Sequence, residues 1–187
     1  MLRKEVLLEL RQKNAIFSLV LYIVGTVFLC YMAFHLKTQA LTSITWNTLF
    51  WIILLFVSIN TIGKSFIAES SSRHYYYYYT VSPIAFVFSK MIYNVLLMAI
   101  MSFLTYGFMS TVLHVDIGDK PMFLLNLFFG AIGFSCVLTM VSAIAGQTAN
   151  PILMAIMSFP VILPLLLILI KVSSAAIDGL SRSVVMD

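Results

Sequence analysis

Five long stretches of this sequence contain no Asp, Glu, Lys or Arg. They cover residues 16–36, 46–63, 91–113, 122–145 and 152–170. A helix needs roughly 20 apolar residues to cross the hydrocarbon core of a bilayer, and a backbone in lipid must satisfy its own hydrogen bonds. We therefore predict an all-α polytopic membrane protein with about five transmembrane helices, in a single domain over residues 1–187.

The composition supports a membrane protein over a soluble one. Hydrophobic residues make up 61% of the chain and charged residues only 10%, against about 25% charged residues in a typical soluble domain. The alternation expected of a transmembrane barrel is absent. The first apolar run is too long for the core of a signal peptide and is not followed by a small-x-small cleavage site, which predicts a retained membrane helix.

The distribution of Lys and Arg predicts the orientation of the chain. Seven of the 11 basic residues lie before the first run or between the second and third runs. Cytoplasmic segments are enriched in Lys and Arg, so we predict a cytoplasmic N-terminus and a cytoplasmic segment 64–90. The net charge of +4 comes from residues that flank apolar runs, which suits contact with the lipid bilayer and predicts no nucleic-acid partner.

Residues 1–15 are predicted to form an interfacial amphipathic helix. Leu2, Val6 and Leu10 share one helical face, while Arg3 and Arg11 lie on the other. Helices of this kind lie on a membrane surface with the apolar side down. A frayed basic tail is the alternative.

The sequence lacks the common catalytic and nucleotide-binding motifs. It contains no P-loop, no HExxH, no GxSxG and no CxxC, and these motifs mark phosphate, zinc, acyl-transfer and redox sites. Cys30 and Cys136 lie inside apolar runs, as small buried hydrophobes do. We therefore predict no catalytic residue, no metal site and no enzyme activity in this chain.

His35 and His114 stand at the ends of the first and third runs. Imidazoles at this depth can ligate haem iron, which makes the two residues candidate haem ligands. Interfacial histidines that only anchor a helix are the alternative.

Polar residues and prolines inside the runs predict helix packing or bending. Asn94 and Asn126 are expected to hydrogen-bond across helices. Pro160 and Pro164 each remove a backbone donor and should bend the fifth span. A moving hinge and a tolerated kink both remain open for the two prolines.

The segment between the second and third runs is polar and rich in tyrosine. The residues of interest are Glu69, Arg73, His74, Tyr75, Tyr76, Tyr77, Tyr78, Tyr79, Ser82 and Pro83. Ser82 suits a helix N-cap and Pro83 the first helical position. Tyrosine combines an apolar ring with a polar tip and is common at membrane interfaces and in protein contacts.

Several motifs are spread over nearly the whole chain: EVLLELRQKNA at 5–15, KSFIAES at 64–70, the tyrosine run followed by SP at 82–83, SKMIYN at 89–94, GFSCVLTMVSAIA at 133–145 and LMAIMSFPVILPLLLILI at 153–170. Their order and spacing resemble the CcmB family, haem exporter protein B of the cytochrome c maturation system. The resemblance implies the permease subunit of an ABC transporter, similar to type II exporters, in the bacterial inner membrane. It also implies six spans, whereas this sequence has five apolar runs.

The resemblance implies a set of partners and roles. A separate CcmA-like cytoplasmic ATPase would bind ATP. Its ATP hydrolysis would drive the release of a haem-loaded, CcmE-like carrier or the export of haem. CcmC-like and CcmD-like membrane proteins and a second copy of the chain are further implied partners. Glu69–Ser82 would contact the ATPase. The alternative for Glu69 and Arg73 is a pair with each other on one helix face.

Two other functions fit the same architecture. One is a permease that exports another substrate, such as a lipid-linked glycan or a drug. The other is a membrane scaffold that transports nothing. Both keep the five spans and change only the cargo or the coupling.

Overall fold

The computed structural model describes residues 13–35, 42–67, 83–113, 115, 117–145 and 151–179. This part of the chain contains five helices: α1 Lys13–His35, α2 Ser43–Ile67, α3 Pro83–Val112, α4 Lys120–Ala145 and α5 Pro151–Ile177. All five are long and apolar enough to cross a membrane. The prediction of an all-α polytopic membrane protein is confirmed, while the predicted interfacial helix falls mostly on residues 1–12, outside the described residues.

All five helices are longer than the charge-free runs indicated, and α2, α3 and α5 are extended most. α3 begins at Pro83 rather than at residue 91, and α5 ends at Ile177 rather than at residue 170. Lys90 directly precedes the third predicted span, and Lys171 directly follows the fifth. A lysine inside a helix near a membrane surface is tolerated because its aliphatic stem lies along apolar neighbours. The predicted loop 64–90 is therefore helical at both margins, and residues 68–82 lie outside the described part.

Successive helices run antiparallel and give the bundle two ends. We call one the Asp119 end, where α2 and α4 begin and α1, α3 and α5 finish. The opposite end, where α2 and α4 finish and α3 and α5 begin, is the Lys90 end. α4 is central and packs on α2, α3 and α5, while α1 lies outside against α2 and α3. Ile23 and Val27 are the buried hydrophobic side chains of α1 within the described residues.

At the Asp119 end, the start of α4 is bonded to the finish of α5. The backbone N–H of Gly118 donates to the Ile177 carbonyl at 3.2 Å, and that of Asp119 donates to the Ala176 carbonyl at 2.9 Å. Asp119 also caps α4, since its Oδ1 accepts from the Met122 N–H at 3.0 Å. These bonds give partners to backbone groups that helix termini otherwise leave unpaired.

The two segments approach so closely that Gly118 has no room for a side chain. A Cβ at Gly118 would lie 2.9 Å from the Cα of Gly179. Gly179 itself adopts a φ of 66°, the left-handed conformation common just after a helix. The close contact therefore requires glycine at Gly118, while the left-handed φ favours glycine at Gly179.

We predict that Gly118→Ala lowers the free energy of unfolding by about 1–3 kcal/mol, because the new methyl group meets backbone that cannot rotate away. The measurement is thermal or denaturant unfolding of the purified protein in detergent.

Gly107→Ala is the matched control. Gly107 is exposed in α3, and a Cβ there meets nothing within 4 Å. Alanine in an exposed helix should raise the free energy of unfolding by about 0.5–1 kcal/mol. Equal stability of Gly118→Ala and the wild type would contradict the close contact.

Candidate functional site

Most of the predicted ATPase-contact residues lie outside the described part of the chain. They are Glu69, Arg73, His74, Tyr75, Tyr76, Tyr77, Tyr78, Tyr79 and Ser82. Pro83 is described and is the first residue of α3, the position for which its fixed φ angle suits it. The structure therefore locates the two ends of the polar segment at the Lys90 end, where α2 stops and α3 starts.

α3 is the longest helix and starts directly after the polar segment. It has 30 residues, which is about 45 Å at the standard rise per residue. The hydrocarbon core is only about 30 Å thick. α3 is therefore long enough to reach across the whole bundle.

Lys90 lies on the buried face of α3 at this end. Its side chain is 2% exposed, and Asn94 and Met98, one and two turns further on, are equally buried. A lysine in this setting is costly unless its charge is compensated. Sequence analysis treated Lys90 only as the flank of a span, although its spacing of four from Asn94 places both on one helical face.

Two hydrogen bonds join helices in the half of the bundle nearer the Lys90 end. Asn94 Nδ2 donates to Thr139 Oγ1 at 2.9 Å and so links α3 to α4. Ser142 Oγ donates to the Ile62 carbonyl at 3.3 Å and links α4 to α2. Interhelical hydrogen bonds of this kind stabilise helix association in lipid, where the hydrophobic effect supplies no drive.

A larger polar cluster lies near the Asp119 end, and we call it the Ser173 cluster. It comprises Asn47 and Trp51 of α2, Asn126 of α4, and Ser173 and Ser174 of α5.

The Ser173 hydroxyl is the centre of this cluster. It accepts from Trp51 Nε1 at 2.7 Å. Its own proton has two acceptors at 2.7 Å, Asn47 Oδ1 and the Leu169 carbonyl. Because Ser173, Asn47 and Trp51 are all at most 1% exposed, loss of one partner would leave the others without a replacement from water.

Two asparagines extend the cluster to the backbone of α5. Asn47 Nδ2 donates to Ser174 Oγ at 2.9 Å and to the Ile170 carbonyl at 3.1 Å. Asn126 Nδ2 donates to the Leu169 carbonyl at 2.9 Å. The cluster therefore connects α2, α4 and α5 at one level of the bundle.

Aromatic rings enclose the Ser173 cluster. Trp46 stacks on Phe50 with ring centroids 5.5 Å apart, and Phe123 lies 5.6 Å from Phe50 and 5.4 Å from Tyr106. A Cβ added at Gly130 would come within 2.8 Å of the Trp51 ring. The rings exclude water, which strengthens the enclosed hydrogen bonds.

Of the remaining predicted site residues, Pro160 and Pro164 are the ones whose side chains the structure describes. His35 ends α1, but its side chain is outside the description, as is all of His114. Pro160 and Pro164 are both exposed within α5, which is helical through both positions. Cys30 and Cys136 are free and partly buried. Among the described residues, no group of three His, Cys, Asp or Glu could hold a metal ion.

Comparison with known proteins gives one decisive finding. The family model of the CcmB protein matches residues 1–186. The chain belongs to the CcmB family. No curated protein and no solved structure matches it.

Membership of the CcmB family gives the bundle a context. It implies the membrane subunit of a haem-exporting ABC transporter in cytochrome c maturation, a family that works with an ABC ATPase. The five helices make this CcmB-family chain a multi-pass membrane protein. Within the described residues, several buried polar groups of this bundle bond one helix to another, and the Ser173 cluster is the main example.

Sequence analysis missed most of the Ser173 cluster. It ended the fifth span at residue 170, before Ser173 and Ser174, because Lys171 follows. It singled out Asn126 but not Asn47 or Trp51. The available signal was the pair Ser173 and Ser174, one turn beyond an apolar run. Polar side chains in a membrane helix usually bond to a neighbouring helix, so this pair indicated an interhelical contact.

We predict that Ser173→Ala lowers the free energy of unfolding of this CcmB-family protein by about 1–3 kcal/mol, because it leaves Trp51 Nε1 and Asn47 Oδ1 buried without partners. A double-mutant cycle with Trp51→Phe should give a coupling energy of about 0.6–1.7 kcal/mol.

Thr111→Ala is the control for that cycle. Thr111 is exposed, and its hydroxyl donates to the Gly107 carbonyl of its own helix at 2.9 Å. Its removal should change stability by less than about 0.5 kcal/mol. Strict additivity of Ser173→Ala and Trp51→Phe would contradict the assigned hydrogen bond.

Proposed function

We propose that this chain couples ATP hydrolysis by a separate cytoplasmic subunit to haem handling during c-type cytochrome maturation, by release of a haem-loaded carrier. The supporting observation is the match of residues 1–186 to the CcmB family, on a chain whose described residues form a bundle of membrane-spanning helices. Haem is then the cargo of the assembly, ATP is held by the partner, and no catalytic step falls on this chain.

The ATPase docks on residues 69–82 in this proposal. This segment leaves α2 at Ile67 and returns as α3 at Pro83, so any partner that binds it holds the ends of two helices. Glu69, Arg73 and His74 supply charged or titratable contacts. The tyrosine run supplies broad rings that pack on the partner and on the membrane surface.

The Lys90 end is cytoplasmic in this proposal. Seven of the 11 Lys and Arg residues belong to the N-terminal segment and to residues 64–90, and such a bias favours the cytoplasmic side. The Asp119 end then faces the opposite side, where a haem carrier and haem-handling membrane proteins meet the complex.

The two ends of the bundle are suited to different tasks. The Ser173 cluster and the contact of Gly118 with Gly179 bond α2, α4 and α5 at the Asp119 end. A movement imposed at the Lys90 end therefore tilts α3 and α4 about a fixed opposite end. Rigid-body movement of packed helices is a common way to transmit a binding event.

The test is co-purification of the ATPase subunit with Glu69→Ala/Arg73→Ala. We predict at least a fivefold loss of bound ATPase, because both charged contacts are removed from the docking segment. ATPase activity of the purified complex and the yield of c-type cytochrome should fall with it.

The matched control is Lys120→Ala/Asp178→Ala, which removes one base and one acid that are both exposed at the Asp119 end. It should leave ATPase recovery unchanged. Normal recovery with the Glu69/Arg73 variant, or equal loss with the control, would refute docking at the Lys90 end and the proposed orientation together.

A further inference from the structure

Lys90 is the one charged side chain among the buried residues of the described part of the chain. It lies inside the membrane-spanning part of α3, Val87–Val112. A lysine near a membrane surface normally extends its ammonium group into water. Because the whole side chain is only 2% exposed, the ammonium group does not reach water, and its charge needs compensation within the protein.

Two interhelical hydrogen bonds fix the depth of Lys90 in the bundle. Asn94 bonds to Thr139 of α4, and Lys90 precedes Asn94 by about one turn. Since α3 and α4 are antiparallel, Lys90 lies level with Ser142, which bonds to the Ile62 carbonyl of α2. Lys90 is therefore at the level where α2, α3 and α4 are bonded to one another.

The carboxylates of the described residues are too far away to compensate this charge. They are Asp119 and Asp178, both at the Asp119 end. Ser142, at the level of Lys90, follows the start of α4 at Lys120 by about 33 Å at the standard rise per residue. That separation is the thickness of the hydrocarbon core, about 30 Å.

The ends of α2 and α4 offset only part of the charge. Both helices finish at the Lys90 end, and the carbonyls of a last helical turn carry a partial negative charge that favours a cation. This effect is smaller than the cost of burying an ammonium ion. A full negative charge is therefore still required near Lys90.

The sequence leaves three glutamates for this role. The chain has seven acidic residues, and two are excluded by distance. Asp116 lies between α3 and α4 at the Asp119 end. Asp187 would reach Lys90 only if the residues after Ile177 ran extended across lipid, which an unpaired backbone forbids. The other three precede α1 or follow α2 next to the Lys90 end; they are Glu5, Glu9 and Glu69.

We propose that Lys90 is a positioning residue for the coupling, and that its ammonium group forms a buried ion pair with one of these glutamates. The pair joins a polar segment of the chain to the start of α3. Replacing a buried ion pair by neutral side chains often costs no stability, so the pair serves to make α3 follow that segment when the ATPase binds. The role in coupling rests on the proposed function, whereas the ion pair itself does not.

The first experiment is a set of three double-mutant cycles on the purified full-length chain in detergent. Lys90→Met is combined in turn with Glu5→Gln, Glu9→Gln and Glu69→Gln. Removing one partner leaves the other charge buried alone, so one of the cycles should be non-additive by about fivefold or more in the unfolding equilibrium constant. That double variant should also be more stable than Lys90→Met alone.

Lys171→Met is the matched control for these cycles. Lys171 also lies in a membrane-spanning part, Ile156–Ile177 of α5, but its side chain is exposed. Its substitution should be additive with all three glutamine variants, because its charge needs no partner in the protein. Non-additivity as large as that of Lys90 would overturn the proposal.

The second experiment places the stabilised double variant in the intact complex with the ATPase subunit. Its fold is retained while its ion pair is absent, so a pair with a merely structural role would leave function intact. We expect the yield of c-type cytochrome per bound ATPase to fall about tenfold, the range of an ordinary coupling between sites. A normal yield per bound ATPase would overturn the positioning role.

Additivity in all three cycles would overturn the ion pair and favour the helix-end carbonyls as the partners of Lys90. Should Lys90→Met fail to fold alone, the double variant that does fold identifies the glutamate, and failure of all three double variants would also overturn the pair. Failure of the proposed function shows in a different measurement, as normal ATPase recovery with Glu69→Ala/Arg73→Ala. The cycles contain no ATPase and are independent of that result.

Discussion

The hydroxyl group of Ser173 and the carbonyl group of Leu169, both on α5, together connect three of the five described helices. The hydroxyl accepts from Trp51 on α2 and donates toward Asn47 or the Leu169 carbonyl, which also accepts from Asn126 on α4. In lipid, helices gain little from burying apolar surface against each other, so close packing and hydrogen bonds decide their arrangement. The enclosing rings of Trp46, Phe50 and Phe123 keep water away from these bonds. The positions of α2, α4 and α5 relative to each other follow from this cluster.

The proposed coupling depends on a contrast between the two ends of the bundle. Toward the Lys90 end, side-chain bonds from Asn94 and Ser142 join neighbouring helices, and the polar segment lies between α2 and α3 in the sequence. At the Asp119 end, a five-residue cluster and two backbone hydrogen bonds act together. In the proposed coupling, the Lys90 end responds to the ATPase and the Asp119 end holds its shape.

The helices were predictable from sequence because lipid forbids unpaired charge and unpaired backbone over about 20 residues. The same rule misplaced the start of α3 and the end of α5, since Lys90 and Lys171 do not interrupt a helix. The polar contacts were harder to predict. Asn94 and Asn126 stand out within apolar runs, but their partners are a threonine and a backbone carbonyl that depend on the rotation of each helix. Glu69, Arg73 and the tyrosines remain a prediction, since residues 68–82 lie outside the described part.

The most direct test of this account is the distance change at each end of the bundle during the ATPase cycle. Nitroxide labels on Phe88 and Ile144 report the Lys90 end, and labels on Ile44 and Lys171 report the Asp119 end; all four side chains are exposed. Cys30 and Cys136 are replaced by alanine. The distances between the labels are then measured by pulsed electron paramagnetic resonance on the reconstituted complex, with and without ATP. The account predicts a shifted distance between Phe88 and Ile144 and an unchanged distance between Ile44 and Lys171. A shift confined to Ile44 and Lys171, or no shift at either end, would contradict it.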